Sequence, residues 1–137
     1  MEIMLDTNIL ISAGLFPGGM MTAFLDRITK NHRIVLCSYC LEELGDVIRR
    51  KFPEKRRHIE VFLQKLPFTL VYTPELDLVE LDVPIRDEAD YPVLMSAVLA
   101  DVDILITGDK DFCGLEIERP EIRTPAEFLA QYGSSIY

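Results

Sequence analysis

The chain has 137 residues, of which 49% are hydrophobic and 27% charged, and its formal net charge is −9. This composition excludes an intrinsically disordered chain, because there is enough apolar surface to offset the entropy lost on folding. We expect one domain, residues 1–137, which needs no disulfide or metal in order to fold. The acidic balance excludes a nonspecific nucleic-acid coat protein, since phosphate is attracted to positive fields.

Short, continuously apolar runs alternate along the chain with longer amphipathic segments. The runs that predict buried strands are Ile3–Leu5, Ile34–Cys37, Phe68–Tyr72, Ile104–Thr107 and Ile122–Thr124. The segments that predict helices are Met20–Thr29, Tyr39–Lys51, Lys55–Leu66, Tyr91–Ala100 and Pro125–Tyr132. Strands that are apolar on both faces and alternate with helices indicate an α/β fold with a mostly parallel sheet.

Capping residues mark three of the predicted starts. Asp90 precedes the helix that begins with Tyr91–Pro92, and Thr124 precedes the one that begins at Pro125. Asn8 is placed to cap a turn over residues 9–13, which Gly14 would end.

The three cysteines (Cys37, Cys40 and Cys113) are an odd number, which argues against a secreted disulfide framework. Cys37 and Cys40 form a Cys-x-x-Cys motif, which is typical of a redox pair or half of a zinc site. Neither a second such motif nor a histidine at ligand spacing accompanies it. This favours two small side chains packed at the end of an apolar run.

The sequence predicts no targeting or membrane segment. Residues 1–5 are short, lack a basic region and lead directly to Asp6. The most apolar stretch, Val93–Ile106, is interrupted by Asp101 and Asp103. We therefore expect a cytoplasmic protein with no membrane partner.

Acidic residues follow the predicted strands at the points where the strands end. They are Asp6 after the first strand, Glu42 and Glu43 in the helix after the second, Asp90 before the helix that leads to the fourth, and Asp109 and Asp111 after the fourth. In open α/β sheets, ligands bind beyond the carboxyl ends of the strands. One acid there is usually a helix cap or a loop end, but several together repel one another and resist desolvation. Their convergence favours a divalent cation, and hard oxygen ligands suit Mg²⁺ or Mn²⁺.

Two polar residues flank these acids. Asn8 is placed to hydrogen-bond and orient an adjacent carboxylate, and Thr107 offers a hydroxyl beside Asp109. Such partners commonly aim the ligands of a metal.

With these residues in view, the sequence resembles the PIN-domain nucleases. The motifs that carry the resemblance are Asp6-Thr7-Asn8, Leu41-Glu42-Glu43-Leu44, Asp90 and Thr107-Gly108-Asp109-Lys110-Asp111-Phe112. Their order and spacing span essentially the whole chain, and they look most similar to the small stand-alone PIN proteins, such as the VapC toxins of toxin–antitoxin pairs. The resemblance implies a three-layer PIN-like fold, with a mostly parallel central sheet flanked by helices.

The same resemblance implies a metal-dependent endoribonuclease. The residues that would bind Mg²⁺ or Mn²⁺ are Asp6, Glu43, Asp90 and Asp109. Glu43 is preferred over Glu42 because it precedes Leu44, as in the Glu-Leu pattern of the family. Asn8, Thr107 and Asp111 would support this quartet. One or two ions would activate a water and stabilise charge on the scissile phosphate of RNA. An antitoxin partner and a homodimer are expected from the family alone.

A basic cluster lies between residues 49 and 58. It consists of Arg49, Arg50, Lys51, Lys55, Arg56 and Arg57, with Glu54 as the one acid. Such a run is either a solvated helix end or a surface that binds RNA phosphates. Residues 75–90 are acidic instead, and an antitoxin segment could insert arginine towards their carboxylates.

Two other functions stay open at this point. Haloacid-dehalogenase-like phosphatases carry Asp-x-Asp-x-Thr after the first strand, but here the corresponding residues are Asp6, Asn8 and Leu10, so the general acid is missing. A non-catalytic PIN domain that only binds RNA or a protein would be marked by a broken acidic quartet, and this quartet is complete.

Overall fold

The structure is a computed structural model that describes residues 1–16, 18–75, 91–108 and 117–132. Its elements are β1 (Glu2–Leu5), α1 (Thr7–Leu15), α2 (Met20–Asn31), β2 (Arg33–Cys37), α3 (Ser38–Lys51), a 3₁₀ turn (Pro53–Lys55), α4 (Arg56–Lys65), β3 (Thr69–Val71), α5 (Tyr91–Leu99), β4 (Ile104–Ile106), β5 (Glu121–Arg123) and α6 (Pro125–Tyr132). The predicted α/β class is confirmed, and every predicted strand is present within two residues of its expected bounds.

The five strands form one sheet in the order β3-β2-β1-β4-β5, and all four pairings are parallel. In the middle of the sheet Ile3 pairs with Ile34 on one side and with Ile104 on the other. Because parallel strands in register carry equivalent side chains to the same face, these three isoleucines form one apolar row.

Helices cover both faces of this sheet, which produces two separate cores. Ile3, Ile34 and Ile104 pack with residues of α1, α2, α3, α4 and α6, whereas Met4 and Leu105 on the other face pack mainly with α5. This is the three-layer arrangement that the continuously apolar strands predict.

The start of the chain differs from expectation at α1. The predicted turn over residues 9–13 is a helix over Thr7–Leu15, and its N-cap is Asp6 rather than Asn8. Gly14 does not end the helix but lies buried within it, where an added Cβ would collide with the side chain of Ile59. The glycine therefore allows α1 and α4 to approach closely.

The predicted cap of α6 is confirmed. The Thr124 hydroxyl accepts from the Glu127 amide at 3.1 Å, and the Glu127 carboxylate accepts from the Thr124 amide at 3.0 Å. This reciprocal capping box satisfies backbone groups that the first turn of a helix leaves unpaired. The expected cap at Asp90 lies outside the described residues.

Two remaining expectations concern the membrane and the cysteines. In the described part of the chain, no single helix is long and apolar enough to cross a membrane, and α1 and α2 pass that test only together, as a bent pair. Cys37 and Cys40 are free thiols with no exposed surface, as the packing interpretation predicts. Cys113 lies outside the described residues.

Candidate functional site

The direction in which successive strands are added to the sheet reverses beside β1. From β1 the chain adds β2 and then β3 on one side, and β4 and then β5 on the other. The carboxyl ends of β1 and β4 therefore flank the switch point, the position outside which open α/β sheets bind their ligands.

Asp6 lies at this switch point and is 5% exposed. Its Oδ1 accepts from the Thr7 amide at 2.6 Å, and its own amide donates to the Ile106 carbonyl at 3.1 Å. The backbone thus continues the sheet up to residue 6 and turns into a helix at residue 7. This geometry fixes both the position and the orientation of the carboxylate.

Thr107 holds the second carboxylate oxygen from across the switch point. Its hydroxyl donates to Oδ2 of Asp6 at 2.7 Å, and the threonine is 2% exposed. This bond is possible because β1 and β4 are neighbours in the sheet. Asp109, beside which Thr107 was expected, lies outside the described residues. The side chain of Asn8 is exposed. The amide of Thr7 and the hydroxyl of Thr107 orient the Asp6 carboxylate.

Glu43 lies in the second turn of α3, on the helix that leaves the carboxyl end of β2. Its side chain is half-buried, and its Oε2 accepts from the Tyr39 hydroxyl at 3.2 Å. Glu42, the alternative acid, is exposed. This difference supports the choice of Glu43, and Tyr39 is a contact that the motif alone did not suggest.

The first turn of α3 is held by Thr73, which follows β3. The Tyr39 amide donates to the Thr73 hydroxyl at 3.1 Å, and the Thr73 amide donates to the Ser38 hydroxyl at 2.9 Å. The Ser96 hydroxyl of α5 also donates to the Thr73 hydroxyl, at 2.9 Å. These bonds join the ends of β2 and β3 to α5 at the same edge of the sheet as Asp6.

The buried thiols belong to the same neighbourhood. The hydrogen bond with Cys37 and burial raise the pKa of the Cys40 thiol, and the negative charge of Asp6 adds to that rise. Cys40 is therefore a neutral thiol, and it packs with Met4 of β1 and Leu105 of β4 in one buried cluster.

The donor set suits a hard divalent cation. Asp6 and Glu43 supply carboxylate oxygens, each of which can accept a second bond, and Mg²⁺ and Mn²⁺ prefer such ligands. Beside them the Thr7 hydroxyl is buried and makes no hydrogen bond of normal length to a described residue. In the described ranges no group of three or more His, Cys, Asp or Glu side chains is placed to hold a metal ion. Asp90, Asp109 and Asp111 lie outside those ranges.

The basic cluster lies beyond Glu43 along α3. Arg49, Arg50 and Lys51 occupy the last turn, and Arg49 is six residues past Glu43, about 9 Å along the helix axis. Cations in a last turn complement the partial negative charge of the helix C-terminus. Arg49 also pairs with Asp46, and Arg56 with Glu60. All of these cations, like Arg57, are exposed.

A second concavity, of about 520 Å³, lies between α1, α2 and α4. Its walls are mainly apolar, with Leu25, Val61, Phe62 and Leu66 among them, and Asp26 is its one acid. Neither Asp6 nor Glu43, the two described acids predicted to bind metal, lines this concavity.

Residues 2–111 match the protein family described as the PIN domain. The fold is similar to a chain in the crystal structure of VapBC2 from Rickettsia felis bound to a DNA fragment from their promoter, with a TM-score of 0.65 and 18% sequence identity over 90% of this chain and 97% of that one. A comparison with the curated proteins finds no significant match.

Proposed function

The chain belongs to the PIN-domain family, and on that premise we propose that it is a metal-dependent endoribonuclease that hydrolyses phosphodiester bonds in RNA. The proposed ligands of Mg²⁺ or Mn²⁺ are Asp6, Glu43, Asp90 and Asp109. Asp111 is proposed to support them. The observation that carries the proposal is the buried Asp6 carboxylate at the switch point of the sheet, oriented by the Thr7 amide and the Thr107 hydroxyl.

A divalent ion bound there would supply Lewis acidity towards water and phosphate. The protein's own contribution is to hold the carboxylates before the ion and substrate arrive. Asp6 is fixed by two short hydrogen bonds, and Glu43 is held by Tyr39. A carboxylate held in this way loses little freedom when it binds a cation, which is the advantage of preorganisation.

The basic cluster is the proposed RNA-binding surface. Its exposed side chains, Arg49, Arg50, Lys51, Arg56 and Arg57, provide positive charge on an otherwise acidic protein. If phosphates bind there, affinity for RNA falls as salt is added, because counterions are released on binding. Substituting Arg56 and Arg57 by glutamate is expected to weaken binding and to reduce this salt dependence.

The test of the catalytic proposal is cleavage of a set of RNAs by the full chain with Mn²⁺. We expect Asp6→Asn to lower the rate at least about 100-fold, because a neutral amide replaces a ligand that carries charge. Asp103→Asn is the matched control, since Asp103 lies at the opposite edge of the sheet and its carboxylate binds the Glu2 amide and Arg119. We expect this control to cleave at the wild-type rate.

Equal cleavage by Asp6→Asn and wild type, at matched purity, would contradict the assignment. Tight RNA binding without cleavage by the wild type would favour the alternative, a non-catalytic PIN domain. Turnover of a phosphate monoester without cleavage of RNA would instead indicate a phosphatase.

An antitoxin is the proposed protein partner, because the fold is similar to a chain of a VapBC2 complex. A partner of this kind would have to bind this chain and inhibit its cleavage of RNA. Production from the native locus, followed by purification and a cleavage assay before and after removal of any bound protein, tests this point. A homodimer, the other expected assembly, is tested by sedimentation of the purified chain.

A further inference from the structure

Tyr39 makes hydrogen bonds to other residues through both its backbone amide and its side-chain hydroxyl. Its amide is one of the N-terminal amides of α3 that have no partner within the helix, and the N-cap residue Cys37 makes no side-chain cap. The Thr73 hydroxyl accepts from this amide at 3.1 Å. The reciprocal bond from the Thr73 amide to Ser38 locks the first turn of α3 to the end of β3.

From this anchored backbone, the Tyr39 hydroxyl reaches Glu43 four residues further along the helix, where it donates to Oε2 at 3.2 Å. Residues four apart lie on the same face of a helix, so the bond needs no distortion. A glutamate has three side-chain torsions, and a hydrogen bond from a rigid phenol restricts them.

The face involved is turned towards the candidate site. Cys40, three residues before Glu43, packs in one buried cluster with Met4 and Leu105, which lie two residues before Asp6 and Thr107. Residues three apart in a helix also share a face. Glu43 therefore lies one turn beyond a residue that packs against β1 and β4, at the margin between buried and exposed surface.

We propose that Tyr39 is a positioning residue that holds the Glu43 carboxylate in the orientation in which it binds the divalent ion. This inference rests on the proposed function. In this role Tyr39 acts through its hydrogen bond to Glu43 and is not itself a ligand of the ion. The Thr73 hydroxyl supports it by fixing the backbone from which the phenol extends.

The experiment is a calorimetric titration of the full chain with Mn²⁺, combined with a double-mutant cycle. Tyr39→Phe keeps the ring and removes only the hydroxyl, and we expect it to weaken Mn²⁺ binding about 10-fold. In a Glu43→Ala background the same change is expected to alter the affinity less than about twofold, because the group through which Tyr39 acts is gone. Tyr72→Phe, at an 80% exposed tyrosine, is the matched control and is expected to bind like the wild type.

Kinetics provide an independent measurement. Tyr39→Phe is expected to lower kcat for RNA cleavage and to leave KM for RNA unchanged, since the phenol affects the ion and not RNA binding. A loss of affinity that is equal in both backgrounds would show a general structural effect and would overturn the inference. Wild-type affinity and kcat in Tyr39→Phe would also overturn it.

The two proposals fail in different ways. If the wild type binds Mn²⁺ and Asp6→Asn does not, but Tyr39→Phe behaves like the wild type, the role of Tyr39 alone is wrong. If the wild type binds no Mn²⁺, or Asp6→Asn cleaves RNA equally well, the proposed function is wrong and the inference fails with it.

Discussion

The two edges of the sheet carry similar acids in different surroundings. At the amino-terminal edge, the Asp103 carboxylate accepts from the Glu2 amide at 2.7 Å and pairs with Arg119 at 2.9 Å, and its side chain is 31% exposed. At the carboxyl edge, Asp6 is 5% exposed, and it accepts hydrogen bonds from a backbone amide and a hydroxyl.

The difference lies in what the neighbours do to the charge. An arginine neutralises a carboxylate as well as orienting it, whereas an amide and a hydroxyl orient a carboxylate and leave its charge in place. The amino-terminal edge thus uses its acid to hold strands and loops together. At the carboxyl edge, the oriented carboxylate of Asp6 lies where proteins of this fold class bind ligands.

The largest effect that separates the two edges is stabilisation by a divalent ion. A ligand that binds only the folded state at about 100 times its Kd adds about 2.7 kcal/mol to the free energy of unfolding. We expect Mn²⁺ to raise the melting temperature of the wild type and of Asp103→Asn, but not that of Asp6→Asn. Thermal melts with and without Mn²⁺ measure this, and equal shifts in the two variants would remove the distinction between the edges.

A smaller effect tests the structural role that Asp6 has besides its proposed function. Asparagine also caps helices, so Asp6→Asn retains an acceptor for the Thr7 amide. Asp6→Ala removes the cap and leaves the buried Thr107 hydroxyl without this acceptor. Both variants lose the charge of Asp6. We therefore expect the free energy of unfolding of Asp6→Ala to be about 1–3 kcal/mol lower than that of Asp6→Asn.

Urea denaturation of the two Asp6 variants measures that difference. Equal stability would show that the hydrogen bonds of Asp6 do not support the fold. Neither variant carries the negative charge of Asp6, so a change in repulsion among the acids does not contribute to the difference between them.

The smallest effect concerns the exposed capping box of Thr124 and Glu127, which follows β5 at the carboxyl edge of the sheet. The backbone and side chain of Thr124 lower the pKa of Glu127 below its ordinary value of 4.5. Because the carboxyl binds protons more weakly in the folded state, its contribution is present above the unfolded pKa and is lost as the pH falls through the folded pKa.

Glu127→Gln keeps a capping side chain that does not titrate. The difference in unfolding free energy between wild type and this variant is therefore expected to be constant near neutral pH and to change as the pH falls below 4.5. A difference that is the same at all pH values would show that the capping carboxylate does not contribute through its charge.

The sheet could be predicted from sequence because each strand is a continuous apolar run between helices. The start of α1 was harder, since Asp6 and Asn8 are both good N-caps and lie two residues apart. Pairing decides between them: the Asp6 amide donates to Ile106 on β4, so the strand ends at the sheet's last bond and the helix follows at once. That partner is 100 positions away and is invisible to local patterns.

The same limit applies to the site. The hydrogen bond from the Thr107 hydroxyl to Asp6 was not predicted, because it depends on the adjacency of β1 and β4. The expected position of Thr107 beside Asp109 stays a prediction, since Asp109 lies outside the described residues. The contact between Tyr39 and Glu43 was also not predicted, although it is local: the two residues are four apart on a predicted helix, a spacing that could have indicated it. The predicted convergence of Asp90 and Asp109 on Asp6 stays a prediction.

The central claim is that a divalent ion binds the aimed carboxylates at the switch point. A crystal structure of the protein soaked with Mn²⁺, with the ion located by its anomalous scattering, tests this most directly. The account predicts an anomalous peak within coordination distance of the Asp6 and Glu43 carboxylates. A structure in which Mn²⁺ binds elsewhere, with no peak beside Asp6, would contradict it.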